Sequence, residues 1–392
     1  MEIRQISAAE RTATMFPLQA YAFLPSPWPA EDEEKYRRRM RFYETAVTLI
    51  AEEHGRALAG VSAFRMRQNV RGRIHDMAGV ASVSSDPSAR RRGFVRELMK
   101  RLLRQSKDEG CAVSALYPFR PSFYARFGFV GIPRHRTASF APEGLGHLQK
   151  ADLPGKVERL PISEGFAEWN GLHRLLATQR HGFAIFDEVR AAEFREEKYW
   201  VAVARVDDDV VGAVRYRVDR FGGDLTAGHL LSTGSLGRAL LLQFFARHVD
   251  QVARVIVQIS TDEVPELWGT DLQVVTEGLV DRPTHGGPMV RVLDMEALTG
   301  TPAGPGAITV EIPDDELIGG VWRLESAGGA LTVTKGTNPS VTLSAAGFSG
   351  LLYGVLDPVE VMARGLGDVP PAAIPTLEAM FPREMPYIVA DF

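Results

Sequence analysis

In the first third of the chain, apolar and polar positions change period twice. Residues 31–51 form a long charged stretch with helical spacing, and residues 56–67 place small and apolar residues between polar ones, as a strand does. A second strand is predicted over 75–85, centred on Met77-Ala78-Gly79-Val80-Ala81-Ser82-Val83. From 93 to 108, Phe94, Leu98, Leu102 and Leu103 fall on one helical face, and 111–117 then reads as a short apolar strand. Strand, loop, helix, strand is a βαβ-like unit of a mixed sheet.

A Gly/Pro-rich passage at 141–155 breaks this pattern, and a second alternation follows it. Its expected elements are a helix at 166–180, strands at 199–205 and 210–218, a helix at 236–249 and a strand at 255–260. The layout repeats that of the first third, which makes an internal duplication plausible although no sequence identity confirms it. A turn-rich segment at 281–288 ends the second alternation. Strands are then expected at 307–312, 321–325, 330–335 and 340–344, with helices at 345–352 and 359–364. The predicted fold class is α/β (α+β), and 392 residues suit two or three domains.

Composition narrows the function classes. A net charge of −4 and a pI near 6.2 argue against a nucleic-acid or anionic-membrane partner. The single cysteine, Cys111, permits neither an intramolecular disulfide nor a cysteine metal site. The nine histidines show no ligand spacing, so no metal is expected. The N-terminus has no apolar signal core and no run approaches the roughly 20 apolar residues of a membrane span, so a soluble, cytoplasmic protein is expected. Gly-x-Ser-x-Gly, Walker-type and His-Glu-x-x-His motifs do not occur. The basic run Arg37-Arg38-Arg39-Met40-Arg41 follows Glu31-Asp32-Glu33-Glu34 and reads as charge pairing on a solvated helix.

The chemistry concentrates in Ser82-Val83-Ser84-Ser85-Asp86-Pro87-Ser88-Ala89-Arg90-Arg91-Arg92-Gly93-Phe94-Val95, between a strand and a helix. A helix N-terminus offers unpaired N–H groups and a positive dipole end to an anion. Gly93 permits close backbone approach, and three arginines can neutralise a pyrophosphate and a 3′-phosphate. The strand at Val83, Ser84 and Ser85 can pair with an extended arm bearing amides. Coenzyme A has both an anionic head and such an arm. The bland alternative is an ordinary strand-to-helix turn with a solvated basic face.

Arg90-Arg91-Arg92-Gly93-Phe94-Val95 resembles the GNAT acyltransferase motif Arg/Gln-x-x-Gly-x-Gly/Ala, with Val95 where the family has a small residue. The spacing Val-x-x-x-Pro-x-x-Arg-Arg-Arg-Gly from Val83 to Gly93 is similar to that of the enhanced-intracellular-survival (Eis) acetyltransferases. So is Phe123-Tyr124-Ala125-Arg126-Phe127-Gly128-Phe129. The resemblance implies a catalytic GNAT domain at 1–145, a degenerate GNAT-like domain at 146–286 and a sterol-carrier-like domain at 287–392. It also implies acetyl-CoA as co-substrate and a homo-hexamer.

By the same resemblance Tyr124 protonates the departing thiolate, and the carboxylate of Phe392 acts as general base beside the second charge of Asp391. The competing readings are a packed tyrosine and a packed tail. Trp28, Glu31 and Asp32 border the acceptor pocket by analogy, although helix capping explains the two acids equally well. An acidic, aromatic lining suits a polyamine, an aminoglycoside-like amine or a lysine side chain. The loop Ser232-Thr233-Gly234-Ser235-Leu236-Gly237-Arg238 has no arginine cluster before its helix and is expected not to bind CoA. The alternatives are a different acyl group or acceptor, or a lipid or sterol carrier with vestigial GNAT domains.

Overall fold

The computed structural model describes residues 1–281 and 283–392. Three sheets organise the chain. The first runs Glu2–Ile6, Val47–Glu53, Arg56–Val70, Arg73–Ser85, Val113–Leu116, Met289–Val292, Val130–Gly131, and Ala184–Phe186 pairs with Arg56–Val70 off this path. All its pairings are antiparallel except Arg73–Ser85 with Val113–Leu116. The helix Phe94–Asp108 covers one face through Phe94, Leu98, Leu102 and Leu103, as its apolar stripe predicts.

The second sheet runs Val274–Glu277, Arg136–Phe140, Arg254–Ile259, Asp224–His229, Asp209–Val218, Trp200–Val206, Lys156–Pro161. Its only parallel pair among the described residues is Asp224–His229 with Arg254–Ile259, so it repeats the topology of the first. The third sheet has five strands, with Gly306–Ile312 and Gly320–Ser326 at its centre. The helix Ala345–Leu352 is buried at every position and packs against Met289–Val292.

Two expectations differ from this architecture. Residues 31–51 are not one helix: Ala30–Arg39 is helical, Met40–Tyr43 is a 3₁₀ turn, and Val47–Glu53 is a strand. Lys35, Arg37 and Arg38 pair with acids one turn earlier and support only the first segment. The run Val47-Thr48-Leu49-Ile50 is buried throughout and fills the sheet interior instead. The expected boundaries at 145 and 286 also cut across the sheets. Arg136–Phe140, placed with the first domain, pairs in the second sheet, and Met289–Val292, placed with the third, pairs in the first. Strands this short go where their hydrogen-bond partners are, which a local pattern does not record.

Long-range polar contacts fix these crossings. Buried Arg291 forms an ion pair with Asp315 and donates to the carbonyl of Phe127. Gly128 has φ +78°, and a Cβ there would stand 2.8 Å from that of Ala345, so the turn after Tyr124 requires glycine. Beyond the last helix, Ile374–Met380, the tail returns across the first two sheets. The buried Arg71 guanidinium donates to the carbonyls of Leu351, Leu352 and Pro382, and the Tyr387 amide donates to His181 O at 2.9 Å. Among the described residues, no helix is long and apolar enough to cross a membrane.

Candidate active site

The parallel pairing of Arg73–Ser85 with Val113–Leu116 starts at Met77↔Val113 and stops at Val80↔Leu116. The longer strand continues to Ser85, paired there only with Arg56–Val70 across a bulge at Ser82, whose φ is +57°. Past Val80 the two strands therefore diverge, and a wedge opens with one backbone edge free. An extended amide chain can add to such an edge.

Asp86 shapes the connection that follows. Its carboxylate accepts from the Ser88 amide at 2.9 Å and the Ser88 hydroxyl at 2.6 Å, and pairs with Arg56 at 2.6 Å. These donors, Ser88 foremost, hold its pKa below the ordinary value. Arg91 (φ +62°) and Gly93 (φ +88°) then turn the backbone into the helix Phe94–Asp108. No side chain caps that helix, so its first N–H groups stay available. Arg90 and Arg91 are exposed and form no ion pair among the described residues. Arg92 is engaged instead: its guanidinium lies 2.9 Å from both Glu53 oxygens and 4.6 Å from the Phe94 ring centre. The side chains of Phe94 and Val95 pack into the core beneath, which leaves only their backbone for an anion.

Tyr124 and Phe392 lie on opposite faces of the first sheet. Tyr124 packs with Ala78, Val80 and Leu116 on the helix face, its ring 5.0 Å from Phe123 and 5.6 Å from Phe119. Its phenol has no protein hydrogen bond among the described residues, and burial pushes its pKa up from 10. Phe392 packs on the other face with Met77 and Ala81. Its ring is 5.5 Å from Tyr117, and a Cβ on Gly79 would be 3.3 Å from it. Tyr117 also donates to Ala390 O at 3.0 Å. The tail thus ends beside Gly79, one residue before the pairing stops.

Next to that end lies a cavity of about 180 Å³ between the first two sheets and the tail. Tyr117, Trp169, Phe186 and Phe194 form its aromatic walls, and Arg134, Arg215 and Asp391 supply charge. His135, His173 and His229 add neutral polarity, because burial lowers the first two to about 4 and the third well below 6.5. His229 and Tyr387 share a 2.6 Å hydrogen bond that joins the tail to the second sheet. Among the described residues, no group of three or more His, Cys, Asp or Glu side chains is placed to hold a metal ion.

Residues 2–131 match the family model described as an acetyltransferase (GNAT) domain. The chain carries a GNAT domain in an Eis-like fold. A GCN5-related N-acetyltransferase from Kribbella flavida is 22% identical, with a TM-score of 0.82 over 100% of this chain and 98% of its own. A second, from Anabaena variabilis, is 16% identical with a TM-score of 0.83, each chain covered in full. Eis1 from Mycobacterium abscessus is 17% identical, with a TM-score of 0.80 and full coverage of both chains. These likenesses establish the fold. The sequence matches no protein of curated function at a significant level.

Within the GNAT domain, Val83, Ser84, Ser85 and the segment from Arg90 to Val95 all flank the wedge or open its helix. Ser84 is buried and donates to Ser82 O at 3.2 Å across the bulge. Trp28, Glu31 and Asp32 do not line the interdomain cavity. Trp28 meets Phe16 edge-on at 5.8 Å, and Lys35 engages both acids, at 3.3 and 3.2 Å. Asp391 does line the cavity. The surrounding protein desolvates its carboxylate enough to push its pKa up, against the pull of Arg134. Sequence reasoning missed Tyr117, Arg134 and the histidines. Tyr117 was legible only as the end of an apolar strand, and the histidines come from three separate segments with no spacing to mark them.

Proposed function

We propose that the GNAT domain transfers an acetyl group from acetyl-CoA to an amine by direct attack in a ternary complex. The wedge beyond Val80, flanked by Tyr124 on one face and Phe392 on the other, carries this reading. The free edge of Ala81 to Ser85 holds the amide arm. The N-terminus of Phe94–Asp108, with Arg90 and Arg91, holds the phosphates. Tyr124, kept protonated by burial, gives its proton to the departing sulfur. The Phe392 carboxylate takes a proton from the attacking amine on the opposite face, so acid and base do not compete for one position.

The amine enters from the interdomain cavity, which reaches Tyr117, Ala390 and Asp391. Polyamines, aminoglycoside-like amines and lysine side chains all contain the required group. The sequence resemblance to the Eis acetyltransferases implies a homo-hexamer, which sedimentation checks directly. The decisive assay is thiol release from acetyl-CoA with an amine panel, run beside Tyr124→Phe and a form lacking Phe392. Amine-stimulated release that both changes abolish supports the reading. Binding of acetyl-CoA with no amine-dependent release would sink the transferase assignment.

A further inference from the structure

The charge in the interdomain cavity is of both signs. Its formal charges are Arg134, Arg215 and Asp391, the Phe392 carboxylate stands beside it, and the three histidines are neutral. Arg215 already pairs with Glu197 and lies 4.5 Å from the Tyr199 ring centre. Arg134 differs: it donates to Gly286 O at 3.1 Å and forms no ion pair among the described residues. Arg134 and Asp391 sense each other electrostatically across the cavity without closing a contact. Opposed charges held apart in this way match a zwitterion.

Size points the same way. The cavity, about 180 Å³, is small beside the roughly 300–1,000 Å³ of pockets for drug-sized ligands. Tyr117, Trp169, Phe186 and Phe194 give the cavity aromatic walls beside Arg134 and Asp391. Resting on the transferase reading above, we infer that the acceptor is a small aromatic amino-carboxylate. Its ammonium group lies toward Asp391 and the tail, its carboxylate pairs with Arg134, and its ring packs among Tyr117, Trp169, Phe186 and Phe194. The free amine forms the C–N bond as the thioester C–S bond breaks, the Phe392 carboxylate takes the proton from nitrogen, the thiol leaves with the proton from Tyr124, and solvent returns a proton to Tyr124.

The test compares phenylalanine, phenylalaninamide, phenethylamine and spermidine as acceptors in thiol release, with wild type and Arg134→Gln. Taking the ratio of variant to wild type for each amine cancels differences in basicity. Losing one charge-assisted contact is expected to raise KM for phenylalanine about 10- to 100-fold and to leave the amide within about threefold. Arg134→Lys restores part of the preference, which a merely structural arginine would not allow. Spermidine as the best acceptor, or an equal loss for acid and amide, overturns the inference. If no amine drives release, calorimetric titration of N-acetylphenylalanine against its amide decides. Selective binding lost in Arg134→Gln keeps the cavity's assignment while the transferase reading fails, and no selectivity removes both.

Discussion

Tyr124→Phe separates chemistry from packing because it removes one oxygen and keeps the ring. That oxygen has no protein hydrogen-bond partner among the described residues, and the contacts to Phe119, Phe123 and Phe129, at 5.0–6.4 Å between ring centres, belong to the ring. The stability change should stay below about 1 kcal/mol, a shift of no more than about 4 °C in Tm. A general acid contributes about 10²–10⁴ in rate, equal to roughly 2.7–5.5 kcal/mol of barrier. The variant should therefore lose at least about 100-fold in kcat at saturating acetyl-CoA while its KM for acetyl-CoA holds within about twofold. Because burial raises the phenol's pKa above 10, ionisation of Tyr124 should not limit wild-type kcat between pH 6 and about 9. A kcat within threefold of wild type, with Tm unchanged, would show that Tyr124 only packs.

The other expectations concern the loop, the histidines and the crossed strands. Replacing Arg90 and Arg91 together by alanine should raise KM for acetyl-CoA at least about tenfold; Arg92→Ala, whose charge is spent on Glu53, should change it little. Desolvation lowers half-buried His135 and His173 to about 4 and His229 well below 6.5, against near 6.5 for each in the unfolded chain. Between pH 6.5 and 4 the unfolded chain binds more protons, so stability rises with pH. Moving from pH 7 to 5 should cost roughly 2 kcal/mol per such histidine, and equal urea midpoints at the two values would contradict this. The segment 2–131 expressed alone lacks Met289–Val292, which lies between Val113–Leu116 and Val130–Gly131, and should not fold cooperatively in a thermal melt.

The features legible in the sequence are those carried by contiguous residues. The loop from Val83 to Gly93 and the helix behind it each need one continuous backbone conformation, so composition and spacing expose them, whereas the tyrosine segment stands out only through its resemblance to the Eis acetyltransferases. Where the chain forms pairs across long separations, local pattern is silent. Nothing local in Met289-Val290-Arg291-Val292 reveals that its partners are residues 113–116 and 130–131. Trp28, Glu31 and Asp32 illustrate the opposite hazard. Their chemistry suits an amine, yet Lys35 and Phe16 satisfy them within the first helices.

The second domain shows why a cofactor wedge and a specificity wall can share one topology. Its parallel pair carries a bulge between Ala227 and His229, and the long strand of the first sheet carries one at Ser82, just past the end of its parallel pairing; each bulge precedes a helix. In the first, arginines and an uncapped helix follow. In the second, the connection carries no cation and Arg238, on the first helical turn, is neutralised by Glu263. His229 and Gln258 instead face the cavity shared with the tail. In the proposed reaction the first wedge supplies the donor and the second borders the acceptor. The tail, pinned by Arg71 and His181, sets the distance between them. Acceptor choice should then change through the second domain and the tail without loss of acetyl-CoA binding. A substitution at His229 that abolished acetyl-CoA binding in a folded protein would refute that division of labour.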